Sequence, residues 1–306
     1  MRTVCLVLGV FLGLLPEIAL AGWKTLAPIE DARADLSATA AAGAVYVGGG
    51  RVLQGPSATF ESLDPKSSTW QPLPSMPQAV SEFGMAAIGS TIYVAGGFTD
   101  AAREKATANV WVFDTAAGNW SPGPAMPAPR GGHALVAAGG KLYVVGGEGS
   151  DAAHAFVLDP ASGHWSVAGG ALAHPRAGLG AAVMGNQIYV VGGRNSAEVD
   201  VYDIGKGAWH AGPALPGPRA GAAAGVIGGR LHVAGGQRVD PFKTYAEHLV
   251  LDPKSGSWSH AAEMPTPRHG VGSAVLDGSW YVIGGGKGAG VFTTFTASDN
   301  VEVYRE

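Results

Sequence analysis

Six short apolar runs in this chain end in a pair of glycines, and the pairs recur at nearly even intervals. They are Gly49-Gly50, Gly96-Gly97, Gly146-Gly147, Gly192-Gly193, Gly235-Gly236 and Gly284-Gly285, separated by 47, 50, 46, 43 and 49 residues. A period of this length marks a repeated supersecondary unit that buries its apolar face only against its own copies. A second marker keeps the same beat. Asp64, Asp114, Asp159, Asp203 and Asp252 each stand six residues before a tryptophan, at Trp70, Trp120, Trp165, Trp209 and Trp258. In four of the five, glycine follows the aspartate by four (Gly118, Gly163, Gly207, Gly256), which supplies the positive φ of a hairpin turn.

Each unit therefore reads as four short strands. The first is built of small residues, such as Ala181-Ala182-Val183; the second ends at the glycine pair, the third at the aspartate, and the fourth carries the tryptophan. Small residues suit a crowded central axis on which radial sheets converge, and the large tryptophans are expected farther out, largely buried between neighbouring blades. The expected fold is all-β, a six-bladed β-propeller. The termini predict how the ring closes. Trp23 lies 47 residues before Trp70, and the chain stops after a third strand at Val301–Tyr304. The N-terminal strand is thus expected to complete the last blade and leave no open edge.

The first 21 residues read as an export signal rather than as fold. Arg2 precedes an apolar run from Val4 to Leu15, and Ala19-Leu20-Ala21 forms an A-x-A cleavage site. The domain reading is 1–21 signal peptide and 22–306 propeller, periplasmic or secreted, with no membrane span once the signal is removed. The composition is of a bacterial kind. The one cysteine, Cys5, lies inside the signal, which excludes disulfides, thiolate ligands and cysteine nucleophiles from the processed chain. A net charge of −4 without any Lys/Arg run speaks against a nucleic-acid partner.

The glycine doublet, the spaced tryptophan and the period near 47 resemble kelch repeats over essentially the whole chain after residue 21. The resemblance implies the propeller fold strongly and function weakly, because one propeller frame carries many activities. The export signal with six such repeats and no further domain is also similar in architecture to periplasmic N-acetylneuraminate epimerases, which interconvert sialic acid anomers.

The loops after the glycine pairs and the blade-to-blade loops emerge on one face, so a site is expected there. The longest run from Phe98 to Asn109, Gln237 to Glu247 and Gly286 to Asn300. Arg33, Arg130, Arg176, Arg219 and Arg268 recur in the blade-to-blade loops, with Val80 in their place before blade two. They carry two readings: an anion-binding ring, or frame residues that bond backbone carbonyls. Departures from the repeat point more sharply to chemistry. Two residues past the arginine, four blades have glycine (Gly132, Gly178, Gly221, Gly270) where blades one and two have Asp35 and Glu82. These carboxylates are candidate acid/base or hydroxyl-binding groups. Arg51 and Arg194, just past the glycine pairs, and His133 and His269 join them as candidate ligand-binding residues.

Neither H-E-x-x-H nor G-x-S-x-G occurs, and the histidines lack metal spacing; no metal or cofactor is expected. Two functions follow. The first is an exported binding module whose long-loop face takes a protein, peptide or acidic glycan. The alternative is a sugar-modifying enzyme of the epimerase (mutarotase) type that the architecture resembles, with Glu82 or Asp35 as its acid/base group.

Overall fold

The computed structural model describes residues 22–306, so the expected signal peptide lies outside the described residues. Six four-stranded antiparallel sheets stand around a common axis. Blade one comprises Ser37–Ala41, Ala44–Gly48, Phe60–Asp64 and Thr69–Pro72. The same order repeats through blades two (from Gly84–Ile88 to Asn119–Pro122), three (from Ala134–Ala138 to His164–Val167), four (from Gly180–Met184 to Ala208–Ala211) and five (from Ala223–Ile227 to Ser257–His260). Blade six takes Gly272–Leu276, Ser279–Ile283 and Val301–Arg305 from the C-terminal end, and its outermost strand is Gly22–Leu26. Trp23 stands opposite Tyr304 in that ladder, so the ring closes as the sequence predicts.

The glycine pairs act between blades. Both glycines have positive φ, for example 60° and 123° at Gly192 and Gly193. The second donates its N–H to the carbonyl at the arginine position of the next blade: Gly97 to Arg130, Gly147 to Arg176, Gly193 to Arg219, Gly236 to Arg268 and Gly285 to Arg33, all at 2.8–2.9 Å. A Cβ on the first glycine would meet that same carbonyl, at 2.3 Å for Gly192 and 2.5 Å for Gly96. The doublet is therefore a seat for the neighbouring blade, which explains why it marks every repeat.

The tryptophans tie the perimeter. The indole N–H of Trp70 donates to Ala27 O (3.0 Å), Trp120 to Pro74 O (2.9 Å), Trp165 to Pro124 O (2.8 Å), Trp258 to Pro213 O (2.9 Å) and Trp23 to Ala262 O (2.7 Å), each reaching the segment just past the preceding blade. All are only half-buried. The expectation that they are largely buried between blades is thus corrected. The fourth strand is the outer edge of its sheet, so one face of each ring stays open to water.

The aspartates ending the third strands cap the following turns: Asp64 Oδ1 accepts the Lys66 N–H, and Asp252 Oδ1 that of Lys254. Blade one lacks the turn glycine, and Ser68 takes the positive φ (55°) in its place.

Candidate functional site

At the long-loop end the first strands are joined by a closed circuit of backbone hydrogen bonds. Asp35 N–H donates to Gly270 O, Gly270 to Gly221, Gly221 to Gly178, Gly178 to Gly132, Gly132 to Glu82, and Glu82 back to Asp35, all at 2.7–2.9 Å. Every member has positive φ, from 51° to 68°. Glycine adopts this conformation freely, whereas an L-residue pays roughly 1–2 kcal/mol. Asp35 and Glu82 are the two positions that accept the penalty. Their carboxylates lie over the adjoining glycines: a Cβ on Gly270 would fall 2.3 Å from Asp35 Oδ1, and one on Gly132 3.2 Å from Glu82 Oε2.

Above this circuit opens a mouth of about 670 Å³, within the range of small-ligand pockets. Asp35, Arg51, Glu82, Arg103 and Arg194 line it together with Gln237, His269, Gly290 and Thr293. Arg51 Nη2 lies 2.9 Å from Asp35 Oδ2. Glu82 Oε2 accepts from Arg103 Nη2 (2.9 Å) and from Arg194 Nη2 (2.9 Å), and Arg103 Nε stands 2.6 Å from Oε1 as an ion-pair contact. Arg194 also pairs with Glu148 through Nη1. Burial, and then the neighbouring Asp35 charge, push the Glu82 pKa up to about 8 against the pull of Arg103 and Arg51.

The two histidines at this face are held neutral. Burial, assisted by Arg130, drives His133 down to about 3. It packs tightly in the wall, its Nε2 lying 3.0 Å from where a Cβ on Gly84 would stand. His269 is also lowered by burial. Its Nε2–H donates to Gly288 O at 3.0 Å, which leaves Nδ1 deprotonated and unpartnered.

The repeated arginines do not line this mouth. Arg33, Arg130, Arg176, Arg219 and Arg268 are buried in the frame, and their guanidiniums are occupied there. Arg33 pairs with Glu61 (2.5 Å) and Arg268 with Glu302 (2.8 Å) and the Gly284 carbonyl. Arg176 holds Asp200 (2.6 Å) and Gly192 O, and Arg219 holds Glu247 (2.6 Å) and Gly235 O. Arg130 donates to the carbonyls of Asp151 and His154 over the Phe156 ring. Of the two readings open to this set, the geometry matches the frame: the side chain folds back on its own blade while its carbonyl seats the previous one. Desolvation lowers the pKa of Arg33, Arg130 and Arg268.

The family model described as the KLHDC2/KLHL20/DRC7 Kelch-repeats domain matches residues 21–193 and again 132–302, together nearly the whole chain. The chain belongs to the kelch-repeat family. Kelch-like protein 40 of Xenopus tropicalis is 30% identical over 82 residues, a stretch that is 27% of this chain and 13% of that protein. The solved structure of YjhT superimposes with a TM-score of 0.78 at 18% identity, covering 90% of this chain and 95% of that one, a likeness of fold.

Within this kelch propeller, sequence reasoning placed Asp35, Glu82, Arg51, Arg194, His133 and His269 at the mouth, and all six line it. It missed Arg103 and Gln237. Arg103 has no repeat counterpart and comes from the long loop of blade two; an arginine inside an insertion on the expected site face was the available signal. Of the loop aromatics, Phe98 and Tyr245 are buried, Phe98 in contact with Arg103 and Tyr245 beneath Arg219. Phe242, Phe292 and Phe295 stand exposed on the rim. Among the described residues no helix is long and apolar enough to cross a membrane, and no His/Cys/Asp/Glu group has the arrangement of a metal site.

Proposed function

We propose that this is an exported binding propeller whose mouth takes a small hydroxyl-bearing carboxylate, an acidic sugar or the acidic end of a glycan. One observation carries the reading. Asp35 and Glu82 occupy backbone positions that four blades give to glycine, and there they meet three guanidiniums, Arg51, Arg103 and Arg194. Guanidiniums suit a carboxylate through paired N–H donors, and carboxylates accept sugar hydroxyls. The volume favours a ligand the size of one or two sugar rings over an extended protein surface.

A thermal-shift and calorimetric screen tests this with N-acetylneuraminate, glucuronate, glucose and an acidic peptide. The expected result is binding of the two acidic sugars and no response to glucose. Binding of the peptide alone would place this propeller with the protein-interaction modules instead.

A second reading is supported by the Glu82 carboxyl, whose raised pKa suits it to exchange protons near neutrality. In that case the propeller accelerates anomer interconversion of the bound sugar. Exchange spectroscopy on N-acetylneuraminate checks this: a rate above the uncatalysed one that vanishes in Glu82→Gln supports an enzyme, and an unchanged rate leaves a binding module.

A further inference from the structure

We infer that Arg194 is the point at which the mouth takes the ligand's carboxylate, and that the Glu148 carboxylate occupies that point as an internal stand-in. The inference rests on the mouth function proposed above and assigns its anion subsite.

The three mouth guanidiniums differ in how firmly they are engaged. Arg51 and Asp35 are 16% and 13% exposed at their side chains, and Arg103 and Glu82 24% and 11%. Separating either pair strands a largely desolvated charge, a costly event. Arg194 is the outermost, 36% exposed, and its second partner Glu148 is 47% exposed. An ion pair as open as that contributes little, because water solvates both charges when they part.

Arg194 also divides its donors. Nη2 is fixed by Glu82 deeper in the mouth, while Nη1 is held by Glu148 alone. A ligand carboxylate can therefore replace Glu148 at Nη1 without disturbing the Glu82 contact that orients the guanidinium. The backbone of Glu148 is pinned on both sides, its N–H to Gly131 O (2.7 Å) and its carbonyl to Gly131 N–H (3.2 Å). Displacement therefore requires only side-chain rotation.

The repeat makes the pairing unusual. Glu148 follows the glycine pair of blade three, the position held by Arg51 in blade one and Arg194 in blade four. The remaining blades place the uncharged Phe98, Gln237 and Gly286 there, so Glu148 is the one acidic residue in the set; reaching across to the neighbouring guanidinium, it presents the same carboxylate chemistry as the ligand. Asp35 and Glu82, deeper in the mouth, are then left to the ligand's hydroxyls.

The test is calorimetric titration of glucuronate into wild type, Glu148→Gln, Arg194→Gln and Asp277→Asn, the last removing the same unit charge from a hairpin at the opposite end of the propeller. Loss of the internal competitor should tighten binding about two- to fivefold, the scale of an exposed ion pair. Arg194→Gln should weaken it at least about tenfold, the scale of a charged hydrogen bond, and Asp277→Asn should leave it unchanged. Equal or weaker binding by Glu148→Gln overturns the inference, as does an equal gain in Asp277→Asn. If glucuronate binds neither wild type nor Glu148→Gln, the mouth reading fails, and acetate titrated against the arginine Nε–H resonances still decides the subsite. Saturation of one resonance at lower acetate in Glu148→Gln upholds it; the same response in both proteins overturns it.

Discussion

Glu82 combines a left-handed backbone, a closely packed carboxyl and two arginine partners, and the conflict among them sets its titration. Its pKa stands at about 8 rather than the usual 4.5. A raised carboxyl pKa means that the folded state keeps a proton the unfolded chain has released. Its contribution to stability is complete below pH 4.5 and is lost as pH rises through 8. The same proton governs the mouth's charge. Below pH 8 the protonated Glu82 offsets none of the positive charge of the three guanidiniums around the mouth; above it Glu82 adds a negative charge beside Arg103 and Arg194. Glucuronate affinity should therefore weaken above pH 8 by up to about tenfold per unit, the limit for a single linked proton. Calorimetry from pH 6 to 9.5 checks this, and Glu82→Gln should give a flat profile. This residue was legible in the sequence because it broke a repeat. Arg103 left only the weaker signal of an arginine inside an insertion on the site face, because a loop that has no counterpart offers no repeat position from which to depart.

Among the elements, the outer strands show how a repeat signal can be right about place and wrong about degree. Spacing located each tryptophan at the boundary between blades. It carried no information on how much of the ring faces water, which depends on the curvature of the sheet edge. The indole N–H bond to the preceding blade compensates in part for the exposed face, and Trp209 is the exception, its Nε1 buried without a partner. Trp→Phe at positions 70, 120, 165 and 258 should cost about 1 kcal/mol more than Trp209→Phe, the value of one hydrogen bond. Chemical denaturation of the five variants measures the difference. The arginines of the connecting loops teach the same lesson. Their recurrence showed that they matter to every blade, but the carbonyl partners that decide between frame and site are brought together only by neighbouring blades.

For the whole molecule, the seam between blades five and six has its own chemistry. His232 stands where five blades have tyrosine, and its Nδ1 lies 2.9 Å from His248 Nε2. His248 Nδ1–H donates to Ala262 O, so its Nε2 accepts from His232. Trp23, Trp280 and Tyr304 pack around the pair. Burial, with Arg230 near His232 and with His232 itself near His248, holds both at about 4. Glu306 pairs with Arg230 and lies 3.0 Å from His232 Nε2, which carries no proton while His232 is neutral and gains a carboxylate partner only when the ring is protonated. A depressed histidine pKa gives stability that is complete above 6.5 and is lost as pH falls toward 4. Acid should thus loosen this seam, and Tm should drop between pH 6.5 and 4. The double variant His232→Tyr/His248→Val, which restores residues used in other blades, should flatten that limb in calorimetry. The circuit of six residues at the throat has a different consequence. A helix or a free strand edge has poles, where unspent donors or acceptors set the local potential. A closed loop in which every residue both donates its N–H and offers its carbonyl has no beginning, so it leaves no unspent donor or acceptor as a pole for an incoming ion. The charge of the aperture therefore belongs to side chains alone, those attached at the six α-carbons, where four attachments are hydrogen atoms, and the guanidiniums that reach in from the loops. Selectivity becomes a matter of which sockets are filled and what the loops bring to them, and the scaffold stays indifferent to the choice.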